Sequence, residues 1–486
     1  MTPRVAQFQR PFSAHEHPEA DNFEVSHAVG EWHRGLAKGV LALGVSLALV
    51  YELLALVPST ARFSPRLLSL HSLVLVHLSF MPGLAFSLGP VRYFSAFSTR
   101  DRRTSAVSLA LYAIGATTAI GFACAGATGH GYRYFLGYFG AHPYLTSGVA
   151  AGCALIATAM GLNGWLWLTA SHRSAKNAPV SAFSELLSVA GFVQVVAVPF
   201  AWAIPVSMWL DKRGVHGLFS PALGGDPSRL AQLFWLYAQP VMLVAALPLL
   251  GIASDCANKA LYRDDRATAL PALKYAILGA TLSYFIWGIR IEPALSDVTR
   301  TFYSFVALLG ILLLGRPLFG VGIDLLRAWR RNQNLTVPLL SVAALSFGFM
   351  ALIPLCLPAL GLRLQSTAIE TAQLHGFAGA VVLASVGTVS LAQVKTNRQF
   401  RTLFTAMAVA GACLMIGTEL RAGMLGTNVA HLPASLGGLV LACSGLGALV
   451  LRARAQRLEH VRLAMEQLER DNAHASSERY PESNIA

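Results

Sequence analysis

Long apolar runs, separated by short polar and charged stretches, dominate the chain. Twelve of them reach the roughly 20 residues that an α-helix needs to cross a hydrocarbon core of about 30 Å. The runs are continuous and do not alternate with a period of two, so a barrel of transmembrane strands is excluded. We predict an all-α membrane protein with twelve transmembrane helices, at about 36–57, 68–90, 104–125, 145–169, 184–209, 229–253, 269–290, 299–323, 335–360, 366–393, 401–424 and 432–452.

Composition and charge agree with a membrane protein. Of 486 residues, 55% are apolar and 13% are charged, whereas soluble chains carry about 25% charged residues. The net charge of +13 is concentrated in the N-terminal segment, alternate loops and the C-terminal tail, including RDRR at 100–103 and RAWRR at 327–331. This positive-inside bias predicts that both termini are cytoplasmic in a multi-pass protein of the cell (inner) membrane. The lipid bilayer, and no nucleic acid, is the partner that this charge pattern indicates.

Three regions follow from this pattern: a cytoplasmic N-terminal segment, 1–35, a membrane domain, 36–452, and a cytoplasmic tail, 453–486. Residues 1–35 are polar and precede a full-length span, so no cleavable signal peptide is expected. The tail begins as a charged amphipathic helix, which favours a solvated end or a partner contact. The six cysteines show neither C-x-x-C-H nor zinc-site spacing, so they are expected to be small packing residues.

Ionisable side chains inside spans are costly in hydrocarbon and are therefore candidate functional groups: Glu52, His71, His77, Glu185, Arg290, Glu370 and His375. Glu52 and Glu185 lie near span ends, where their side chains can reach the interface. His71 and His375 each lie about two turns inside a span that runs from the outer to the inner face, so they reach a similar depth. Two such imidazoles fit the axial positions of a low-spin haem iron, with separate packing in the bundle as the alternative. His77 faces elsewhere on its helix and is expected to be a packing residue.

The most specific signal is GGDPSRLAQLFWLYAQPVMLVAALPLLGIAS, residues 224–254. It resembles, without a gap, the sixth-helix signature of subunit I of the haem-copper oxidases (cytochrome c oxidase subunit I). Three further blocks resemble the same family in the same order: HSLVLVHLSFMP at 71–82, FIWGIRIEPALSDVTRTFYSF at 285–305 and LQSTAIETAQLHGFAGAVVLASVG at 364–387. The resemblance implies a twelve-helix bundle of the haem-copper oxidase subunit I type over nearly the whole chain.

By this resemblance, the ligands of the low-spin haem fall on His71 and His375, the pair that their depth also selects. The ligand positions of the oxygen-reducing centre hold other residues. The copper ligands fall on Gln239, Ile289 and Arg290, and the high-spin haem ligand falls on Gln373. Amides are poor ligands for copper, and arginine keeps its charge, so no copper is expected. Other functional positions of the family are also changed, among them its crosslinked tyrosine, its gating glutamate and the lysine of its second proton path, at Leu243, Val241 and Pro317.

Three functions are compatible with these residues. The first is an electron-transfer subunit with one low-spin bis-histidine haem, of undetermined type, which works with other membrane respiratory subunits or another redox partner. The second is a haem-free structural or assembly subunit. It is favoured by the absence of the arginines expected to hold the haem propionates, since Leu425, Gly426 and Thr427 follow the AGM of the eleventh span. The third is a divergent terminal oxidase or nitric oxide reductase that uses other ligands.

Overall fold

The computed structural model describes residues 99–125, 143–174 and 182–214 continuously, and individual positions within 217–261, 275–327 and 457–472. Within these residues the complete elements are three helices: α1, Thr99–Ala125; α2, Pro143–Ser174; and α3, Ala182–Lys212. All three are long and apolar enough to cross a membrane. They confirm the predicted spans at 104–125, 145–169 and 184–209. The complete set of twelve extends beyond the described residues and stays a prediction.

The helices are longer than their apolar spans because polar residues continue them at both ends. Thr99 begins α1, and Asp101 in the first turn places a negative charge near the positive end of the helix dipole. Pro143 begins α2, at a position where a missing N–H costs no hydrogen bond. After α3, Gly214 takes a left-handed conformation with φ of 69°, and its N–H donates to the Asp211 carbonyl oxygen at 3.2 Å.

Close backbone contact joins α1 to α2. A Cβ on Gly115 would lie 2.7 Å from the Gly152 carbonyl oxygen, so only glycine fits there. Around this contact, buried aliphatic, alanine and tyrosine side chains form a continuous core: Tyr112, Ala116, Ala119, Ala123, Val149, Ile156 and Ala159. Small residues favour such contacts in membranes because they allow two backbones to approach and gain dispersion energy.

A second glycine contact joins α2 to α3. A Cβ on Gly164 would lie 2.6 Å from the Gly191 carbonyl oxygen, and a Cβ on Gly191 would overlap the Gly164 carbonyl oxygen. Neither backbone can move away without opening the contact along both helices. The pair α2–α3 is therefore held backbone to backbone, and α2 lies between α1 and α3.

Aromatic side chains indicate where the membrane interfaces lie. Tyr144 near the start of α2 is 74% exposed, and Lys212 at the end of α3 lies 4.5 Å from its ring centroid. Trp165, further along α2, is also exposed. At 1.5 Å of rise per residue, Tyr144 and Trp165 are about 30 Å apart along the helix, the thickness of the hydrocarbon core. Exposed aromatic residues at that separation are typical of the two aromatic belts of a transmembrane helix.

Candidate functional site

The stretch with the most specific sequence signal is helical at its described positions between 229 and 261, here called the motif segment. Most of its buried residues recur every three or four positions and therefore lie towards one face: Leu230, Phe234, Pro240, Val241, Val244, Leu247, Gly251, Ser254, Asp255 and Asn258. Near the far end of this face, a Cβ on Gly251 would lie 2.5 Å from the Phe183 Cα. The motif segment thus packs closely against the first turn of α3.

The connection from α3 to the motif segment folds back on itself through hydrogen bonds that its backbone N–H groups donate. Asp211, which is buried, accepts a hydrogen bond from the Phe219 N–H on Oδ1 at 3.0 Å. The Gly225 N–H donates to the Ser220 carbonyl oxygen at 2.9 Å. Gly224 has φ of 79°, a conformation that favours glycine. The two glycines that open the signature therefore have a structural role in a tight turn.

At the other end of the motif segment, the Asp255 carboxylate caps α3. Oδ1 accepts from the Ala182 N–H at 2.8 Å and Oδ2 from the Phe183 N–H at 3.3 Å, while only 4% of Asp255 is exposed. These N–H groups have no partner within α3 because they lie in its first turn. A buried carboxylate at this position gains charge-assisted hydrogen bonds and a favourable interaction with the helix dipole. The cap fixes the motif segment against α3.

Glu185 lies next to this cap. It is in the first turn of α3, it is partly buried, and its negative charge is close to that of Asp255. Its Oε2 is buried and accepts no hydrogen bond from the residues that the structure describes. The span-end position predicted for Glu185 is confirmed by its place in the first turn. Its carboxylate nevertheless points partly into protein.

Between its two ends, the motif segment contacts α3 through polar side chains. Gln194 of α3 is completely buried, and its Nε2 donates to the Ala157 carbonyl oxygen of α2 at 3.5 Å, a long hydrogen bond. The Tyr237 hydroxyl of the motif segment interacts with the Gln194 amide and lies near the Cys153 thiol of α2. Gln194 Oε1 finds no hydrogen-bond donor within the described part of the chain. We call Gln194, Tyr237 and Cys153 the polar cluster.

Two other pairs of polar side chains inside these helices are hydrogen-bonded to each other and to a backbone carbonyl. Asn163 Nδ2 donates to Ser108 Oγ at 2.8 Å, and Ser108 in turn donates to the Ala159 carbonyl oxygen at 2.7 Å. Trp202 Nε1 donates to Thr158 Oγ1 at 2.7 Å, and the Thr158 hydroxyl donates to the Ala154 carbonyl oxygen at 2.9 Å. These bonds connect neighbouring helices. The polar cluster differs from them because one of its acceptors is left over.

The predicted haem ligands His71 and His375 lie outside the described residues, as do the altered positions Gln239, Ile289, Arg290 and Gln373. Val241, which stands where the resemblance places a gating glutamate, is described: it is 3% exposed and lies on the buried face of the motif segment. Within the described residues, no group of three or more His, Cys, Asp and Glu side chains is close enough together to hold a metal ion.

Sequence reasoning missed three residues of this region: Gln194, Tyr237 and Asp255. Only ionisable groups inside the spans were predicted as functional, and Gln194 is not ionisable. Its amide in the middle of an apolar run was nevertheless a usable signal, because an unpaired amide is also costly in hydrocarbon. Asp255 lies just beyond the predicted end of its span at 253, and its partners are more than 70 residues away in sequence.

Comparison with known proteins gives partial matches, among them the following two. A stretch of 123 residues is 28% identical to cytochrome c oxidase subunit 1 of Pecten maximus, and covers 25% of this chain and 25% of that protein. A stretch of 124 residues is 25% identical to cytochrome c oxidase subunit 1 of Mytilus edulis, and covers 24% of this chain and 22% of that protein. The matches thus span about a quarter of the length of these relatives. No protein-family model matches the chain.

Proposed function

We propose that this chain is a membrane cytochrome related to haem-copper oxidase subunit I, that it holds one low-spin haem between His71 and His375, and that it transfers electrons without reducing oxygen. Two lines of support converge. The partial matches relate the chain to cytochrome c oxidase subunit 1. The helical pattern of the sequence, considered separately, assigns the two histidines a similar depth in two spans of the same direction.

The proposal depends on one observation: the chain retains the histidines at the low-spin haem positions and lacks those of the oxygen-reducing centre. Both histidines at the low-spin haem positions are present, whereas the residues at Gln239, Ile289 and Gln373 cannot supply the imidazoles of an oxygen-reducing centre. An amide is a weak copper ligand and an isoleucine is none. A chain that had lost both functions would have no reason to retain one complete pair of ligands and none of the other set.

The described helices support the absence of the oxygen chemistry. Val241 fills a buried position on the motif segment where the resemblance places the glutamate that delivers protons. Valine carries no exchangeable proton, so this position offers no proton donor.

His71 and His375 would hold the haem iron as neutral imidazoles. With two ligands from the protein, the haem would supply one-electron transfer rather than oxygen binding. The apolar composition of the predicted spans would exclude water from such a site, which would favour electron transfer over side reactions. We propose other membrane respiratory subunits as the electron donor and acceptor, in the inner membrane.

The test is the haem and metal content of the purified full-length protein, together with its absorption spectrum after reduction. We expect one haem and one iron per chain, no copper, and a low-spin spectrum. His71→Ala and His375→Ala should each abolish the low-spin spectrum. His77→Ala is the matched control, because it removes a histidine from the same span, and it should leave the spectrum unchanged.

Each other outcome identifies a different function. Protein without haem, folded and stable, would overturn the proposal in favour of a structural or assembly subunit. Copper, or a second haem, would overturn it in favour of a divergent terminal oxidase or nitric oxide reductase. A low-spin spectrum that survives His71→Ala would show that the axial ligands are assigned to the wrong residues.

A further inference from the structure

The C-terminal tail contains a helix with an exposed apolar stripe. Positions 464–470 are helical, as are 457, 461, 462 and 472. Val461, Met465 and Leu468 are each more than half exposed, at 55%, 54% and 56%. We call these three residues the tail stripe. Large apolar side chains at this exposure are unfavourable in water, so a surface that covers them would stabilise the helix.

The spacing of the tail stripe is that of a coiled-coil seam. Its members are separated by four and then three residues, which is the a/d spacing of a heptad, and Leu458 continues the pattern towards the N-terminus. The stripe is narrow, because charged residues flank it directly: Arg457 and Arg462 in its first half and Glu469 in its second. A narrow a/d seam is typical of a helix that pairs with another helix. A helix that packs on the core of a globular protein has a wider apolar face.

Charge along the flanks of the tail stripe changes sign from one end to the other. Beside the stripe, the first half carries Arg457 and Arg462, and the second half carries Glu469 and Asp471. Of these flanking charges, Arg462 is also paired within the helix. Arg462 Nε donates to Glu466 Oε1 at 2.8 Å, and Arg470 Nε donates to the Glu466 carbonyl oxygen at 3.2 Å. The helix is therefore basic at one end of its seam and acidic at the other.

We propose that the tail helices of two copies of this chain pair in antiparallel orientation through the tail stripe. The antiparallel arrangement brings Arg457 of one copy to the acidic end of the other, at Glu469 and Asp471. In a parallel pair, Arg457 of one copy would lie beside Arg462 of the other, and like charges would repel. The charge pattern thus selects both the partner, a second identical helix, and the direction.

The apolar layers also match in this orientation. If Val461 of one copy faces Met465 of the second, then Leu458 faces Leu468, and the second copy repeats these contacts by two-fold symmetry. The same register sets Arg454 opposite Asn472, so the polar seam positions meet each other at the ends rather than meeting apolar residues. Each layer of the proposed contact therefore joins residues of compatible polarity.

The membrane makes such a short contact feasible. A helix of this length is marginal as a free dimer in water. The tail follows the last predicted span, 432–452, so both copies present their tail helices at the same membrane face and at a high effective concentration. Two copies related by a two-fold axis along the membrane normal have antiparallel helices when these helices lie parallel to the membrane surface.

The experiment is disulfide cross-linking of the full-length protein in membranes. Val461→Cys and Met465→Cys are made as single variants, and the two are also co-expressed. The antiparallel pair predicts a cross-linked dimer, of twice 51.8 kDa, when the variants are co-expressed and no more than the wild-type background in either single variant. A parallel pair would cross-link each single variant with itself, which would overturn the proposal.

A second measurement uses the mass of the purified particle in detergent and in lipid nanodiscs. Met465→Glu should convert dimer to monomer, because it places a charge in the middle of the seam. Gln467→Glu introduces the same side chain at an exposed position off the stripe and should leave the dimer intact. A wild-type protein that is monomeric in nanodiscs, or a dimer that persists in Met465→Glu, would contradict the proposal. Either result would assign the stripe to lipid or to another protein.

Discussion

The two sides of α3 are built differently. Towards α2, the Gly164 and Gly191 backbones are in direct contact and no side chain separates them. Towards the motif segment, the contact is made by the polar cluster and by the Asp255 carboxylate. The first contact leaves no room for any added atom. The second contains a buried acceptor, Gln194 Oε1, without a donor among the described residues. The bundle therefore has a rigid wall, α1–α2–α3, next to a helix held by a few specific polar contacts.

This difference indicates where the protein can accept amino-acid substitutions without losing its fold. The glycine contacts depend on backbone shape, so any side chain is excluded there. The motif-segment contact depends on individual hydrogen bonds, each of which contributes about 1 kcal/mol. A helix held in that way tolerates substitutions on its other faces.

The largest effect is expected from Gly191→Leu. Its side chain cannot avoid the Gly164 carbonyl, so α2 and α3 must separate, at a cost on the order of 3 kcal/mol or more. We expect little folded protein in detergent and a large fall in Tm. Gly121→Leu is the matched control, because a Cβ on Gly121 meets nothing within 4 Å. Equal losses for the two variants would show that α2–α3 contact is not what makes Gly191 necessary.

A smaller effect is expected from Asp255→Ala, which removes the cap from α3. The Ala182 and Phe183 N–H groups would lose their acceptor in a buried site, and we expect a loss of about 2 kcal/mol. The measurement is the unfolding midpoint in detergent. Asp324→Ala is a suitable comparison, because Asp324 pairs with an exposed Arg327 at 3.3 Å and such surface pairs contribute about 0–1 kcal/mol. Equal losses from Asp324→Ala and Asp255→Ala would contradict a capping role for Asp255.

The smallest expected effect is the difference in stability between variants of two buried amides, Asn163 and Gln194. Asn163→Leu removes a 2.8 Å hydrogen bond to Ser108, and we expect it to cost about 1–2 kcal/mol. Gln194→Leu removes one long hydrogen bond to Ala157 and the interaction with the Tyr237 hydroxyl, but it also removes the buried Oε1 that has no donor among the described residues. Because the loss of the unpaired oxygen offsets part of the other two losses, we expect it to cost less than Asn163→Leu, about 0.5–1 kcal/mol. Unfolding in denaturant ranks the two variants. A larger loss for Gln194→Leu would mean that Oε1 is hydrogen-bonded, for instance to a buried water.

Much of the described fold could be predicted from the sequence, because transmembrane helices are specified by continuous apolar length. The spans at 104–125, 145–169 and 184–209 are helices, and they differ from the prediction only at the polar ends. The glycine contacts and the Asp255 cap could not be predicted. They depend on which faces of separate helices meet, and one sequence does not determine how a helix is rotated about its axis.

The candidate site also has features that the sequence predicts and features that depend on helix packing. Burial of Val241 agrees with a motif segment that turns this position into the protein. The meeting of Gln194 with Tyr237 depends on the packing of two helices and could not be derived from either span alone. The pair His71 and His375 was predicted from membrane depth and from the family resemblance together. Its assignment to a haem stays a prediction.

The most direct test of the central claim is the addition of carbon monoxide to the reduced, purified protein. Carbon monoxide binds ferrous haem only at an open axial position. With both positions occupied by His71 and His375, we expect a reduced low-spin spectrum that carbon monoxide leaves unchanged. His375→Ala should open one position and allow the gas to bind. A spectrum of the unsubstituted protein that shifts with carbon monoxide would reveal an open, high-spin site and contradict the account.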